Sequence, residues 1–126
     1  MKRLIAAAIL FCTVIGVCIA GNRTVAAVES KAAGLLESCE EAIGEKDEKA
    51  AADYAKSLES YWRSKRTLLA VFTNHGRYED TLLIISRISE QLQNGSGDDA
   101  LADCSEARRL MGEIVGEQQL RLDHIL

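Results

Sequence analysis

The chain has 126 residues, no proline, 5% aromatic residues with Trp62 as the single tryptophan, and 27% charged residues of both signs. Such a composition favours long regular helices and excludes a β-sandwich, a collagen-like chain and a disordered tail. All 19 acidic residues follow position 22, where 13 basic residues stand against them for a net charge of −6. That balance disfavours the concentrated positive surface that phosphate binding needs, and the one basic cluster, Arg63-Ser64-Lys65-Arg66, is flanked by acids. Nucleic acid is therefore not an expected partner.

Lys2 and Arg3 precede eighteen uncharged residues, Leu4 to Gly21, and Asn22 and Arg23 end the run. At 1.5 Å per residue a helix of that length reaches about 27 Å, enough for a hydrocarbon core. In lipid the backbone must satisfy itself, so the segment is expected to be helical, with Lys2 and Arg3 left in the cytoplasm. Residues 1–22 are read as an N-terminal membrane anchor and 23–126 as an extracytoplasmic helical domain of a single-pass protein. The alternative is a signal peptide, cut near Cys18-Ile19-Ala20 or Val25-Ala26-Ala27, with the domain secreted. Cys12 follows Phe11 and Cys18 follows Val17, which does not fit a lipid-bearing cysteine.

The remainder reads as about four helices of an up-down bundle. In the first, Val25, Val28, Ala32, Leu35, Leu36, Cys39, Ala42 and Ile43 form one stripe that ends near Gly44. No proline or loop cluster separates it from the membrane segment, so the two can form one continuous helix. The second begins at an Asp47 N-cap, with Ala50 three residues on, and carries Ala51, Tyr54, Leu58, Tyr61, Trp62, Leu69 and Phe72. Thr73-Asn74-His75-Gly76 is the next break. The third helix places Tyr78, Leu82, Ile85, Ile88 and Leu92 on one face, widened by Leu83 and Ile84, and ends at Asn94-Gly95-Ser96-Gly97. The fourth is expected to start at Asp98 or Asp99 with Leu101, Cys104, Ala107, Met111, Ile114 and Val115 inward. After Gly116 a short apolar tail, Leu120 to Leu126, is expected to pack down. Short loops make successive helices antiparallel neighbours.

Few residues offer chemistry. Cys39 lies five residues before the end of its helix and Cys104 about six after the start of its own. In an antiparallel bundle the two fall at similar heights, either as a disulfide in an oxidising compartment or as two buried thiols. His75 and Glu79 are four apart, but His124 is distant, and two histidines without a close third ligand make a poor zinc site. No metal or other cofactor is expected. Asp98, Asp99 and Asp103 fail the calcium-loop template and read as helix-capping carboxylates. There is no Gly-x-Ser-x-Gly, no phosphate-binding glycine loop and no cysteine with an adjacent base, so an enzyme is not expected. Lys65 shares a stripe with Trp62, Leu69 and Phe72, where it can stack on an aromatic ring or hold its ammonium in water.

The Met-Lys-Arg-plus-apolar start, the stretch Tyr61-Trp62-Arg63…Leu69…Phe72-Thr73-Asn74-His75, and the ending Leu120-Arg121-Leu122-Asp123-His124-Ile125-Leu126 together resemble the bacterial family called domain of unknown function 4363. Its members look like short, membrane-anchored, all-helical proteins with a Trp followed by an aromatic-x-x-His step. Trp62, Phe72 and His75 match that step, while His124 stands where the family more often has Asn. The resemblance implies an anchor, helices and a bacterial origin, and no activity, cofactor or catalytic residue.

The expected function is a non-enzymatic interaction or structural module of the bacterial envelope. Its partners would be the membrane through residues 4–21 and another envelope membrane protein or a second copy. Trp62, Lys65, Phe72 and His75 form the expected contact patch. The alternative is a sensing bundle with a small molecule bound between helices near Lys65, Trp62 and His75.

Overall fold

The computed structural model describes residues 1–73 and 75–125, with the side chains of His75 and of 117–125 outside that description. The described residues form five helices: α1 (Lys2–Gly44), α2 (Glu48–Ser64), α3 (Arg66–Phe72), α4 (His75–Gln93) and α5 (Gly97–Ile125). α1 packs on α2, α2 on α4, α4 on α5 and α5 on α1, which closes a square, up-down, all-α bundle.

α1 runs unbroken for 43 residues, about 64 Å. Its first half is long and apolar enough to cross a membrane, which fits a membrane anchor or a signal sequence. Leu4, Ile5, Ile9, Leu10 and Phe11 have no protein against them, and Leu4 is 79% exposed. From Gly21 onward the same helix buries Val25, Val28, Ala32, Leu36, Cys39 and Ala42. Spacings of four and three residues keep that face on the bundle.

Local chemistry sets the turns. The Asp47 side chain accepts the Ala50 N–H at 3.1 Å and caps α2, as expected. The left-handed residue after α1 is Lys46, with φ of 60°, whereas Gly44 is still helical. Gly95, with φ of 78°, turns the chain between α4 and α5, where a glycine enters that region without steric cost. α5 begins at Gly97, one residue earlier than expected.

Two expectations need correcting. The second helix is not continuous to Phe72. It stops at Lys65 (φ −97°, ψ 9°), whose N–H bonds back to Trp62 O at 3.1 Å in a tight turn. The C-terminal stretch after Gly116 is not a separate tail, because the α5 backbone stays helical to Ile125. The packing of its side chains lies outside the described residues.

The core is built from small residues facing large ones. Ala32, Ala51, Ala55, Ala100 and Ala107 are fully buried opposite Leu36, Leu58, Trp62, Tyr78, Ile85, Ile88 and Met111. Alanines let helix axes approach closely, and a few large side chains fill the space that remains. Leu83, expected to widen the apolar face of α4, points outward instead at 66% exposure. Thr81 is buried in the same helix and its hydroxyl donates to Arg77 O at 2.8 Å.

The bend at Lys65 brings Phe72 onto α1 at Gly21, where a Cβ would lie 2.4 Å from two ring carbons. Only glycine accommodates that ring. Gly21→Val should therefore expel Phe72 and lower stability by about 1–3 kcal/mol, the usual cost of overpacking. Adding Phe72→Ala should recover part of the loss, and denaturant unfolding of the two single variants and the double variant measures the coupling.

Candidate functional site

The four residues of the expected contact patch do not form one surface. Trp62 is 1% exposed and belongs to the core, which removes it from any accessible patch. Its ring stacks on Tyr78 with centroids 6.0 Å apart and planes 8° apart, and its indole N–H donates to Tyr78 O at 3.3 Å. The buried indole thus has the partner it needs. Phe72 is half-buried over Gly21. Lys65 sits at the junction of α2 and α3, with Nζ 5.5 Å from the centre of the Tyr61 ring. Lys31 of α1 approaches that ring too, at 4.8 Å. Tyr61 therefore takes two ammonium groups, and sequence spacing gave no sign of the one from α1. The His75 side chain lies outside the described residues. Trp62 in the core also leaves no indole to line the ligand pocket expected near Lys65 and His75.

An open cleft of about 400 Å³ lies at the other end of the bundle, where the α1–α2 and α4–α5 turns meet. Ile43, Ala51, Leu92 and Leu101 line its apolar part, and Lys46, Glu48 and Asp98 its polar part. Among the described residues no group of three or more His, Cys, Asp or Glu side chains is placed to hold a metal.

Height matching does bring Cys39 and Cys104 together. Both are free thiols with no exposed surface, on the neighbouring helices α1 and α5. The Cys39 thiol lies 3.5 Å from Ala51 O, across on α2. The Cys104 thiol hydrogen-bonds Cys39 and favours its thiolate, which lowers Cys39 below the ordinary thiol range. The same contact, with burial, pushes Cys104 up.

Charge pairs tie the outer faces of the helices. Asp103 was expected to cap α5, and this reading is corrected. Its carboxylate takes two hydrogen bonds from Arg87 of α4, at 2.8 Å from Nε and 2.7 Å from an Nη. Asp103 is nearly buried, and the Gln91 side chain adds a further hydrogen bond. Arg77 reaches Glu113 at 2.6 Å between the same two helices, and Arg108 reaches Glu40 at 2.8 Å between α5 and α1. Arg109 pairs with Glu106 and Glu113 within α5. A sequence signal existed for Arg87–Asp103 only in retrospect: Asp103 falls on the inward stripe, one residue before Cys104, where an unpaired carboxylate would be costly.

The Arg87 hydrogen bonds hold the Asp103 carboxyl below the usual carboxylate range, and burial opposes them. Because the folded value is depressed, the pair stabilises fully above the unfolded value of about 3.8 and is lost as pH falls through the lower folded one. Asp103→Asn should cost about 1.5–3 kcal/mol at neutral pH, the range for hydrogen bonds to charged groups. Its stability should also fall less steeply than that of the parent on acidification below pH of about 4, measured by urea unfolding across pH. In the folded, reduced protein Cys39 and Cys104 should resist maleimide and react on unfolding, checked by mass counting of adducts with and without denaturant.

A family model described as a domain of unknown function (DUF4363) matches residues 19–125. The match covers the whole bundle and begins inside α1, after most of its apolar run. No curated protein and no solved structure matches the chain.

Proposed function

The chain belongs to the DUF4363 family, and on that premise we propose a non-enzymatic, membrane-tethered interaction module of the bacterial envelope. Residues 4–21 cross the cytoplasmic membrane, Lys2 and Arg3 stay inside, and the bundle stands outside and binds another envelope membrane protein or a second copy. One observation carries this reading: the exposed apolar half of α1 enters the bundle core without a break. A severed signal peptide has no need to share a helix with the domain it exports. An anchor that shares one holds the domain at a set orientation to the bilayer. The missing catalytic constellation favours binding over turnover. The family itself brings no activity to this chain.

The test starts with where the full chain goes. The intact 13.8 kDa polypeptide should stay with membranes through high-pH carbonate washing and leave with detergent. Protease added outside spheroplasts should digest the bundle. Recovery of the unprocessed chain in the soluble cytosolic fraction would overturn the anchor. Crosslinking in native membranes should then give a discrete adduct, and a monomer without adducts would overturn the interaction role.

A further inference from the structure

α3 is the piece of the bundle that interrupts its regularity. It has seven residues, Arg66–Phe72, and it continues the descent of α2 toward the end of the bundle from which the apolar part of α1 emerges. Its level along α1 is known from one contact, since the Phe72 ring lies directly against Gly21. Gly21 is also the last residue of the apolar run, followed by Asn22 and Arg23. The end of α3 therefore sits at the height where the anchor leaves the hydrocarbon.

Leu69 of α3 is fully buried and Leu68 is half-buried against the core, while the side turned away from the bundle carries Thr67, Ala70 and Val71, the last 70% exposed. No other large apolar side chain outside the anchor is described as more exposed. Above this tip stand Arg63 and Arg66, whose side chains are 59% and 65% exposed, and Arg23 is exposed on α1 just past the apolar run. Glu59 and Glu79 each reach one of these arginines, the second only at 3.8 Å. Along α2 and α3, in the direction of the apolar part of α1, the guanidinium-bearing residues come before the Ala70–Val71 tip. Segments that rest in a bilayer interface show the same order.

We propose that Ala70 and Val71 of α3 rest in the outer interface of the membrane that α1 crosses, with Arg23, Arg63 and Arg66 facing anionic lipid headgroups. The inference rests on the anchored reading above and deepens it by giving the bundle a second contact with lipid. One anchor helix leaves the domain free to tilt. A second contact beside the anchor, on the edge of the base where α3 lies, fixes which face of the bundle looks along the membrane and which looks away.

The test introduces tryptophan at three places in the full chain, reconstituted into phosphatidylglycerol–phosphatidylcholine vesicles with or without brominated acyl chains. Leu10→Trp reports the anchor, Val71→Trp reports α3, and Lys49→Trp reports the exposed start of α2 at the far end. Trp62 is buried in the core and supplies a constant background. The expected result is loss of emission by brominated lipid for L10W and V71W, with a shift of V71W emission to shorter wavelength, and neither change for K49W. Quenching of L10W with V71W no more quenched than K49W would overturn the α3 contact and leave the anchor standing. An unquenched L10W would overturn the anchor and the α3 contact together. A blue-shifted but unquenched V71W would mean that protein, such as a second copy, covers this edge, and would also overturn the proposal.

Discussion

The structure depends on a single helix with two side-chain patterns. The N-terminal half of α1 presents apolar side chains on every side to no protein partner, while the second half presents one apolar stripe to three other helices. An α-helix satisfies its own backbone in either environment, so the chain need not break where the surroundings change. What changes at Gly21 is the side-chain pattern, from apolar all round to apolar on one face. The absence of proline and of any turn cluster between Leu4 and Ile43 lets one element carry both roles.

Magnitudes separate these roles. Nine large apolar residues lie in the uncharged run. Each contributes roughly −0.3 to −0.6 kcal/mol to membrane insertion, for a total on the order of −4 kcal/mol. In the bundle the same class of side chain is worth about 1.5–3 kcal/mol per fully buried residue, because the alternative there is water. The bundle is thus held by its own core, with Trp62 and Tyr78 as its largest members. The ion pairs Arg87–Asp103, Arg77–Glu113 and Arg108–Glu40 set which helix faces meet. The more exposed pairs, Arg77–Glu113 and Arg108–Glu40, add little energy individually, but like charges at the same places would oppose that arrangement.

Much of the fold was legible because helices write their packing at a spacing of three and four residues. The stripes of α1 and α4, the Asp47 cap, the Asn94–Gly97 break and the common height of Cys39 and Cys104 all follow from that spacing and from loop length. The missed features are those where a distant contact overrides local preference. The buried positions Leu58, Trp62 and Leu69 keep helical phase across Lys65, so spacing alone cannot reveal the bend. The bend shows only once Phe72 is seen against Gly21. Trp62 read as a candidate contact residue because a lone tryptophan in a helix is equally suited to surface and core. Its partner, Tyr78, stands sixteen residues away on another helix. The second ammonium on Tyr61 comes from Lys31, and no one-dimensional pattern links those two positions.

The Gly21–Phe72 contact gives the boundary between the apolar run and the bundle a physical definition. A flexible linker there would decouple the domain from the bilayer, and its reach would grow with length. Here the last small residue of the apolar run is a docking surface for an aromatic ring from α3, so the bundle is fastened to α1 where its apolar run ends. Val71 alone contributes no more than about 0.6 kcal/mol to lipid association, too little to recruit the protein to a membrane. On the proposed reading it biases orientation once α1 has supplied the attachment, because the second contact is then intramolecular and acts at high effective concentration. Under the same proposal, a tethered domain whose tilt is biased in this way shows one constant set of helix faces to its neighbours, and the constancy of that presented surface is what specific binding requires.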